Sequence, residues 1–330
     1  MTPRPHSSNS HRQAGFTLVE LMVAVALGLL VAGAAVAALI ISRQGFTSVD
    51  SSSQLRENAR FAASLIQRVS VQAGFEDAAG GMLTSPKDSG LRGFDNAVVA
   101  TASPATATAP TITSGSRPGS CGSVSDTSCV NGSDVLQISY WGMSRMISGV
   151  MSADGSMINC AGMSEPGSPA VTQRAVSIFH VARSSSGEPT LACSYRNPTS
   201  GNWETVPLVT GVEGFQVLYG VDNVTPLAAP TGGTDSVAER YLRASQLDAG
   251  TPVATEANWR RVRTLRIGLL IRGAPGSAQD RAATGATWPV LGAGFSDSAD
   301  VKSDLTTAAD GRLRQSVVFT VHLRNPQSAP

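Results

Sequence analysis

The sequence predicts an α+β protein, in which one long N-terminal helix packs on an antiparallel β-sheet head with long loops. Three observations lead to this prediction. An uncharged apolar run fills residues 21–41, an amphipathic helical pattern begins near residue 54, and short strand-like runs recur after residue 133. A single helix that is apolar all round in its first half and on one face in its second half would join the first two features.

The apolar run is long enough to cross a membrane. Leu21–Ile41 contains only Ala, Val, Ile, Leu, Met and Gly, and a membrane-spanning helix needs roughly 20 such residues. Glu20 lies at its start, where a carboxylate costs at most about 2.5–3.5 kcal/mol. The Leu, Ile, Val and Phe residues of 16–41 offset this with about 4–8 kcal/mol. The glutamate either has a partner, as intramembrane acids usually do, or lies in water at the headgroup level.

The 15 residues before Phe16 are polar, with basic Arg4, His6, His11 and Arg12 and no acid. Positive charge before a span retains that end in the cytoplasm, so the chain beyond the run is expected outside it. A secretory signal peptide has the same order of regions. This apolar run is too long for a typical signal core, however, and no A-x-A-like site follows it. Cleavage is therefore expected before the run, which leaves the anchor in the product.

The stretch "GFTLVELMVAVALGLL" resembles the N-terminus of type IV pilins: Gly, an aromatic residue, Thr-Leu-Val-Glu and an unbroken apolar helix. The resemblance implies that residues 1–15 are a leader, which a prepilin peptidase removes after Gly15. It implies N-methylation of the new terminal Phe16. It also implies that Glu20 pairs with the terminal amine of a neighbouring subunit in the fibre. Such a cation would make a buried carboxylate tolerable.

The second half of the predicted helix is amphipathic. In "QLRENARFAASLIQRVSVQAGF" apolar residues recur at three- and four-residue steps, with charged residues on the opposite face. Gly74 is expected to stop the helix, which would run from Phe16 to about Ala73. We therefore expect residues 16–42 to form the transmembrane or fibre-core half of the helix. Residues 43–73 would form its amphipathic half, and residues 74–330 an extracytoplasmic β-rich head.

The head sequence alternates between loop-like and strand-like segments. Residues 77–133 are rich in Gly, Ser, Thr, Ala and Pro, which favours a long surface loop. Residues 223–258 and 273–311 are polar insertions. In "GFQVLYGVD" every second residue is apolar, so antiparallel strands with one face buried under the helix are expected. The predicted strands lie at 134–141, 175–182, 190–196, 205–211, 214–222, 262–272 and 316–325.

All four cysteines lie beyond the anchor, on the side of the membrane where disulfides persist. Four cysteines allow three pairings. We favour Cys121–Cys129, which would close a short loop, together with Cys160–Cys193, which would link a loop to a strand. A zinc site is not expected, because the sequence has no C-x-x-C spacing and no adjacent histidine pair.

No catalytic or cofactor motif is present: the sequence contains no G-x-S-x-G, H-E-x-x-H, Walker loop or G-x-G-x-x-G. His180 and His322 fall in strand patterns and are expected to be surface or hydrogen-bonded residues. Asp222, Asn223 and Asp235 lack calcium-loop spacing and are interpreted as turn residues. The net charge of +1 is not that of a basic nucleic-acid-binding protein. We predict no enzyme activity, cofactor or metal.

Several later segments are similar to one branch of the pilin family, PilW. In order, they are "ENARFAASLIQRVSVQAGF", "LVTGVEGFQVLYGVD", "ERYLRASQL", "WRRVRTLRIGLLIR" and "FTVHLRN". The resemblance implies a minor pilin without catalysis, which joins a tip complex, primes pilus polymerisation and supports twitching motility. The implied partners are other minor pilins, the major pilin, a large tip protein, prepilin peptidase and the inner membrane. The head would lie in the periplasm, and in the pilus tip or fibre after assembly.

Two alternatives stay open. The J-type pseudopilin of type II secretion has a similar helix-plus-sheet plan, although the "YGVD" block favours PilW. A pilus-borne adhesin needs no recognisable motif, whereas a DNA receptor should have a basic stripe interleaved with aromatic residues. Arg261 and Arg263 are predicted on one face of a strand and Arg266 and Arg272 on the other, so nucleic acid is not an expected partner.

Overall fold

The computed structural model describes residues 15–76, 89–100, 105–114, 130–167, 174–278, 285–297, 300 and 303–325. The chain forms two compact units, one ending at Asp50 and the other beginning at Ser51. Helix α1 (Leu18–Ser70) runs from the first into the second. It starts and ends within three residues of the predicted bounds.

The remaining elements belong to the second unit, here called the head. A 3-10 turn occupies Ala244–Leu247 and helix α2 occupies Pro252–Trp259. The strands of the described part are β1 (Leu91–Phe94), β2 (Ala97–Val99), β3 (Ile112–Ser114), β4 (Val135–Tyr140), β5 (Ser144–Ile147), β6 (Val150–Ala153), β7 (Ala175–Arg183), β8 (Pro189–Arg196), β9 (Trp203–Thr210), β10 (Val212–Val221), β11 (Arg240–Leu242), β12 (Val262–Arg272), β13 (Thr287–Pro289), β14 (Asp304–Thr306) and β15 (Arg314–His322).

Two antiparallel sheets form the framework of the head. One has the strand order β1-β4-β7-β8-β9 and the other β11-β10-β12-β15, and three two-stranded ribbons pair β2 with β3, β5 with β6 and β13 with β14. All seven predicted strands are present as members of the two large sheets. The α+β prediction, a long N-terminal helix with antiparallel sheets, is confirmed.

The C-terminal half of α1 lies in the main core. Its residues Leu55, Ala59, Ala62, Ile66 and Val69 are buried at the three- and four-residue spacing of the sequence pattern, and they share one hydrophobic cluster with strands of both large sheets. Fully burying an aliphatic side chain of this size contributes about 1.5–3 kcal/mol. Packing of this face therefore contributes more to the helix than intrinsic propensity does.

The end of α1 is set by Gly74. The backbone tightens after Ser70 into a turn, in which Ala73 N donates to Ser70 O at 3.0 Å. Gly74 has a φ of 68°, the left-handed conformation that glycine adopts at no steric cost. Its N–H then donates to Ser139 O at 3.0 Å, which joins the end of the helix to the first large sheet.

The prediction that only one sheet face is buried was wrong for β10, which is buried along its whole length. The reason is a second layer that the polar 273–311 segment supplies. Val290, which follows β13, and Leu305 of β14 pack with Leu270 of β12 in a separate cluster. A Cβ on Gly214 of β10 would lie 3.5 Å from both Val290 and Leu305. Gly268 permits this approach, because a Cβ there would lie 2.1 Å from Val290 O.

The three segments expected as loops contain regular structure in their described parts. Strands β1, β2 and β3 lie in the 77–133 stretch, β11 and all but the last residue of α2 lie in 223–258, and β13 and β14 lie in 273–311. These strands have three or four residues each, too few for alternation to be visible in the sequence. The β5–β6 ribbon was not predicted either.

Candidate functional site

The predicted cleavage junction, Gly15–Phe16, is formed by the first two residues that the structure describes. Gly15 and Phe16 precede α1 and both are exposed, with Phe16 at 88%. A Cβ added to Gly15 would meet no atom within 4 Å. The leader residues 1–14 lie outside the described residues. The geometry therefore leaves the Gly15–Phe16 bond accessible, while cleavage there and methylation of Phe16 stay predictions.

Glu20 takes part in a reciprocal cap at the start of α1. Its Oε2 accepts from Thr17 N at 3.2 Å and from Thr17 Oγ1 at 3.1 Å, and its own N–H donates to Thr17 Oγ1 at 3.3 Å. This is the capping box, in which an N-cap threonine and a glutamate three positions later satisfy each other's backbone donors. Among the described residues no hydrogen bond reaches Oε1 of Glu20, so that oxygen remains open to a further donor.

The capping role was missed in the sequence, although its signal was there. The letters "TLVE" at 17–20 place Thr and Glu at capping-box spacing immediately before an apolar run. Within the described chain Glu20 is therefore held by the cap, and its side chain is exposed. A salt bridge between Glu20 and a neighbour's terminal amine would form in addition to the hydrogen bonds of the cap.

The apolar run has no cover within the first unit. Every residue from 15 to 44 is exposed, including Leu21, Leu30 and Ile41 at 62–70%. By length and composition this part of α1 can cross a membrane. An apolar helix exposed on all sides requires lipid or other apolar helices around it. Among the described residues none covers this segment, so it is free to contact lipid or other helices.

A disulfide joins Cys160 and Cys193, the pairing favoured from the sequence. Both residues are buried in the main core, where Cys193 belongs to β8 and Cys160 to the loop before β7. The bond therefore links a loop to a strand. Cys121 and Cys129 lie outside the described residues, and their pairing stays a prediction.

Three carboxylates in the head could hold a cation by distance alone. Ligand oxygens of Asp222, Asp235 and Glu239 lie within 4.8 Å of one another. Asp222 is already engaged, however: its Oδ2 accepts from Ser236 N at 2.8 Å and pairs with Arg263 at 3.2 Å. Burial raises the pKa of Asp222, but hydrogen bonds from neighbouring donors and the arginine charge outweigh it and lower the pKa below its usual value. These contacts give Asp222 a structural role in the turn.

The clustered arginines have protein partners. Arg263 pairs with Asp222, and Arg266 lies over the Phe295 ring at 3.8 Å. Arg272 binds Glu188 at 2.8 Å. The neighbouring Arg260 lies 3.4 Å from Glu256, and Arg261 donates to the carbonyls of residues 231–233. Because these guanidinium groups already bind protein groups, they do not form a single basic stripe that could bind a nucleic-acid backbone.

A groove of about 280 Å³ lies beside the second half of α1, lined by residues that include Asn58, Glu188, Arg272 and Arg312. Its charged side chains pair with each other, with Arg312 at 2.9 Å and Arg272 at 2.8 Å from Glu188. The groove therefore has little uncompensated charge to offer a ligand. His180, a second candidate for chemistry, is buried and bonds Ser194 at 3.1 Å, and burial lowers its pKa to about 4.

Comparison with known families matches both ends of the chain. The prokaryotic N-terminal methylation motif matches residues 10–36, and the family described as type IV pilus-assembly protein W, PilW, matches residues 178–325. Over residues 178–325 the chain is similar to the PilW family. PilW proteins are pilin-like assembly proteins and structural, not enzymatic. The apolar helix with its methylation motif is consistent with a membrane-anchored prepilin.

Among solved structures, the chain is similar to a type IV-like pilin from Thermus thermophilus. The identity is 14% and the TM-score 0.36, over 84% of this chain and 97% of that one. A likeness at that TM-score adds nothing to the two sequence matches. No curated protein matches the chain.

Proposed function

We propose that this chain, which is similar to the PilW family, is a minor pilin that joins a tip or priming complex needed for pilus assembly and twitching motility. In this proposal the subunit is held in the inner membrane by residues 16–42, with its head in the periplasm. Prepilin peptidase cuts after Gly15, and Phe16 is N-methylated. Its partners are other minor pilins, the major pilin and a large tip protein.

The observation that carries the proposal is the fully exposed apolar half of α1, which begins with the Thr17–Glu20 cap. An apolar helix inserts in lipid and then exchanges lipid for other helices in a fibre. The open Oε1 of Glu20 would accept the terminal amine of a neighbouring Phe16. A buried carboxylate needs such a partner, since removing one member of a buried ion pair costs about 3–5 kcal/mol.

The cleavage step has a direct test. Intact mass and N-terminal peptide mapping of the protein extracted from membranes should show a chain that begins with methylated Phe16. A mature protein that still carries residues 1–15 would contradict the proposal, because the Phe16 amine would then not exist.

The cap and the charge of Glu20 can be separated by substitution. Gln also completes a capping box but cannot pair with an amine as a charge, so Glu20→Gln should be as defective in piliation as Glu20→Ala. Thr17→Ala removes the cap and leaves the carboxylate, so it should support piliation close to the wild type. The assay is surface-pilus yield and twitching in a deletion strain complemented with each variant.

Membrane levels of all variants must match by immunoblot, because only equal levels assign a defect to assembly. Membrane insertion of Glu20→Ala should be equal or slightly better than that of the wild type, since a charge is removed from lipid. Full piliation by Glu20→Gln together with a defect in Thr17→Ala would show that the glutamate acts only as a cap.

A further inference from the structure

The two long sheet edges of the head are β9 and β15, and β15 has the more open backbone. Leu323 N donates to Arg263 O at 2.9 Å, so odd-numbered residues of this strand direct their backbone groups toward β12. The N–H and C=O groups of Ser316, Val318 and Thr320 consequently point away from the sheet. No described residue forms a backbone hydrogen bond with these outward groups.

Within the described residues, the β15 edge has neither a bulge nor a proline, two features that normally protect an edge strand. Its nine residues pair with β12 in continuous register from His322 to Arg314, without a bulge, and contain no proline. Bulges, prolines and covering segments are the devices by which proteins block strand pairing at an edge.

Strand β9 has three such devices. It contains Pro207, its register with β8 is irregular at Leu191/Ala192, and Trp203 is bridged by Thr106. These features would hinder a further strand from pairing with β9, and the described part of β15 has neither a proline nor a bulge.

The main core is also incomplete at β15. Val317 and Phe319 pack against the core cluster but remain only partly buried, whereas Leu269 and Ile267 on the adjacent β12 are fully buried. A further strand beside β15 would cover these two side chains with alternate apolar residues of its own. It would also satisfy the outward backbone groups.

We propose that β15 accepts an extended strand from a different pilin subunit of the assembly, an inference that rests on the proposed function. The incoming strand carries alternating apolar residues on the core side and a carboxylate near the end of β15. That end holds His322 and Arg324, both exposed and without an ion-pair partner among the described residues.

A second copy of this chain is the poorer occupant. Residues 314–325, which contain β15, have no Asp or Glu. The β15 strand of a second copy therefore offers no carboxylate to the exposed Arg324. This composition favours a different, acidic strand.

The test uses the full-length chain in piliated cells, with a photoreactive p-benzoylphenylalanine in place of His322. Illumination should crosslink the chain to another pilin subunit, and mass spectrometry should map the bond to an extended segment with alternating apolar residues and a nearby acid. Crosslinks only to lipid, to the same chain or to a second copy would overturn the proposal.

A proline substitution at an outward-facing position of β15 provides an independent test of strand addition. Thr320→Pro removes an N–H that β12 does not use, a substitution that edge strands tolerate. Crosslinking from position 322 should fall about tenfold or more, because the proline ring blocks a paired strand. Thr320→Val keeps the N–H and should crosslink as the wild type does. Equal crosslinking by the proline and valine variants, both with wild-type unfolding midpoints, would refute strand addition.

The outcomes separate this inference from the proposed function. Crosslinking through β15 by a chain whose deletion leaves piliation and twitching normal would refute the priming role and support strand addition. Normal dependence of piliation on the chain, with no β15 crosslink to another pilin, would refute only strand addition.

Discussion

The two units of the chain differ in how far their apolar side chains are buried. Among the described side chains of residues 15–50 none is buried, and those of 21–41 are uniformly apolar. The head buries its apolar residues in three clusters and adds ion pairs and the Cys160–Cys193 bond. The apolar side chains of the first unit therefore need lipid or other helices to shield them from water, whereas those of the head are shielded by the core of the head.

This contrast makes the stability of the head separately measurable. All four tryptophans lie beyond residue 50, at positions 141, 203, 259 and 288. Tryptophan fluorescence of the full-length protein in detergent therefore reports unfolding of the head alone. Substitutions that weaken head contacts should move its denaturation midpoint, and substitutions in the first unit should not.

The largest effect is expected from removing the disulfide. The bond joins residues 33 positions apart, and closing a loop of that length stabilises a protein by about 4 kcal/mol in the chain-entropy model. The double substitution Cys160→Ala with Cys193→Ala should lower the free energy of unfolding by about this amount, measured by urea denaturation. Wild type in the presence of reductant is a second comparison, in which the predicted Cys121–Cys129 bond would be reduced as well. An unchanged midpoint would mean that the core alone holds this loop.

The next effect comes from the helix itself. Ile66 is fully buried, so Ile66→Ala should cost about 2–5 kcal/mol through lost burial and the cavity that remains. Leu30→Ala, at a position 70% exposed on the same helix, should leave head unfolding within about 0.5 kcal/mol of the wild type. Similar losses in both variants would show that the two units unfold as one.

A smaller, pH-dependent effect is expected at Glu165. Burial raises the pKa of this carboxyl to about 7, although a hydrogen bond from Asn159 and the Arg196 charge oppose the rise. When folding raises the pKa of an acid, its contribution to stability is fully present below the pKa of the unfolded chain, here near 4.5. That contribution is lost as the pH rises through the folded-state pKa of about 7. Glu165→Gln should therefore match the wild type near pH 4.5.

Above pH 7 the same variant should be more stable than the wild type, by on the order of 2–3 kcal/mol. Urea midpoints of both proteins across pH 4.5 to 8 provide the measurement. Parallel profiles would mean that Glu165 ionises as readily in the folded head as in the unfolded chain.

The smallest effect is expected at the other end of the molecule. Glu20→Ala removes the cap at the start of α1, far along the chain from the first buried residue, Leu55. The head should unfold at the wild-type midpoint even where pilus yield falls. A shifted midpoint would assign Glu20 a role in folding of the head and weaken its assignment to assembly.

The sequence predicted the parts of the fold whose periodicity is long and local. Helix α1 and the seven strands of the large sheets have apolar patterns that read directly as elements. Helix α2 was missed although Thr251 and Pro252 form a standard start, in which the threonine accepts from Ala254 N. The polar composition of the surrounding segment obscured that signal.

The remaining parts depend on contacts between distant residues. The short ribbon β13–β14 exists because it covers β10 and β12, and nothing within its three-residue strands specifies that layer. The same limit applies to the site. The Gly15, Phe16 and Glu20 motif is contiguous and was visible, whereas the open edge of β15 follows from its place at the end of a four-stranded sheet.

The bond between Asn325 and the end of α1 has a consequence for folding kinetics. Asn325 Nδ2 donates to Val71 O and Ala73 O, across 254 and 252 positions of sequence. Strand β15, just before it, completes the sheet that packs on the helix. Contacts of such long range form slowly, because the loop entropy must be lost before they contribute. The head therefore cannot finish folding until Asn325 has been synthesised, long after the apolar segment at residues 21–41 has emerged.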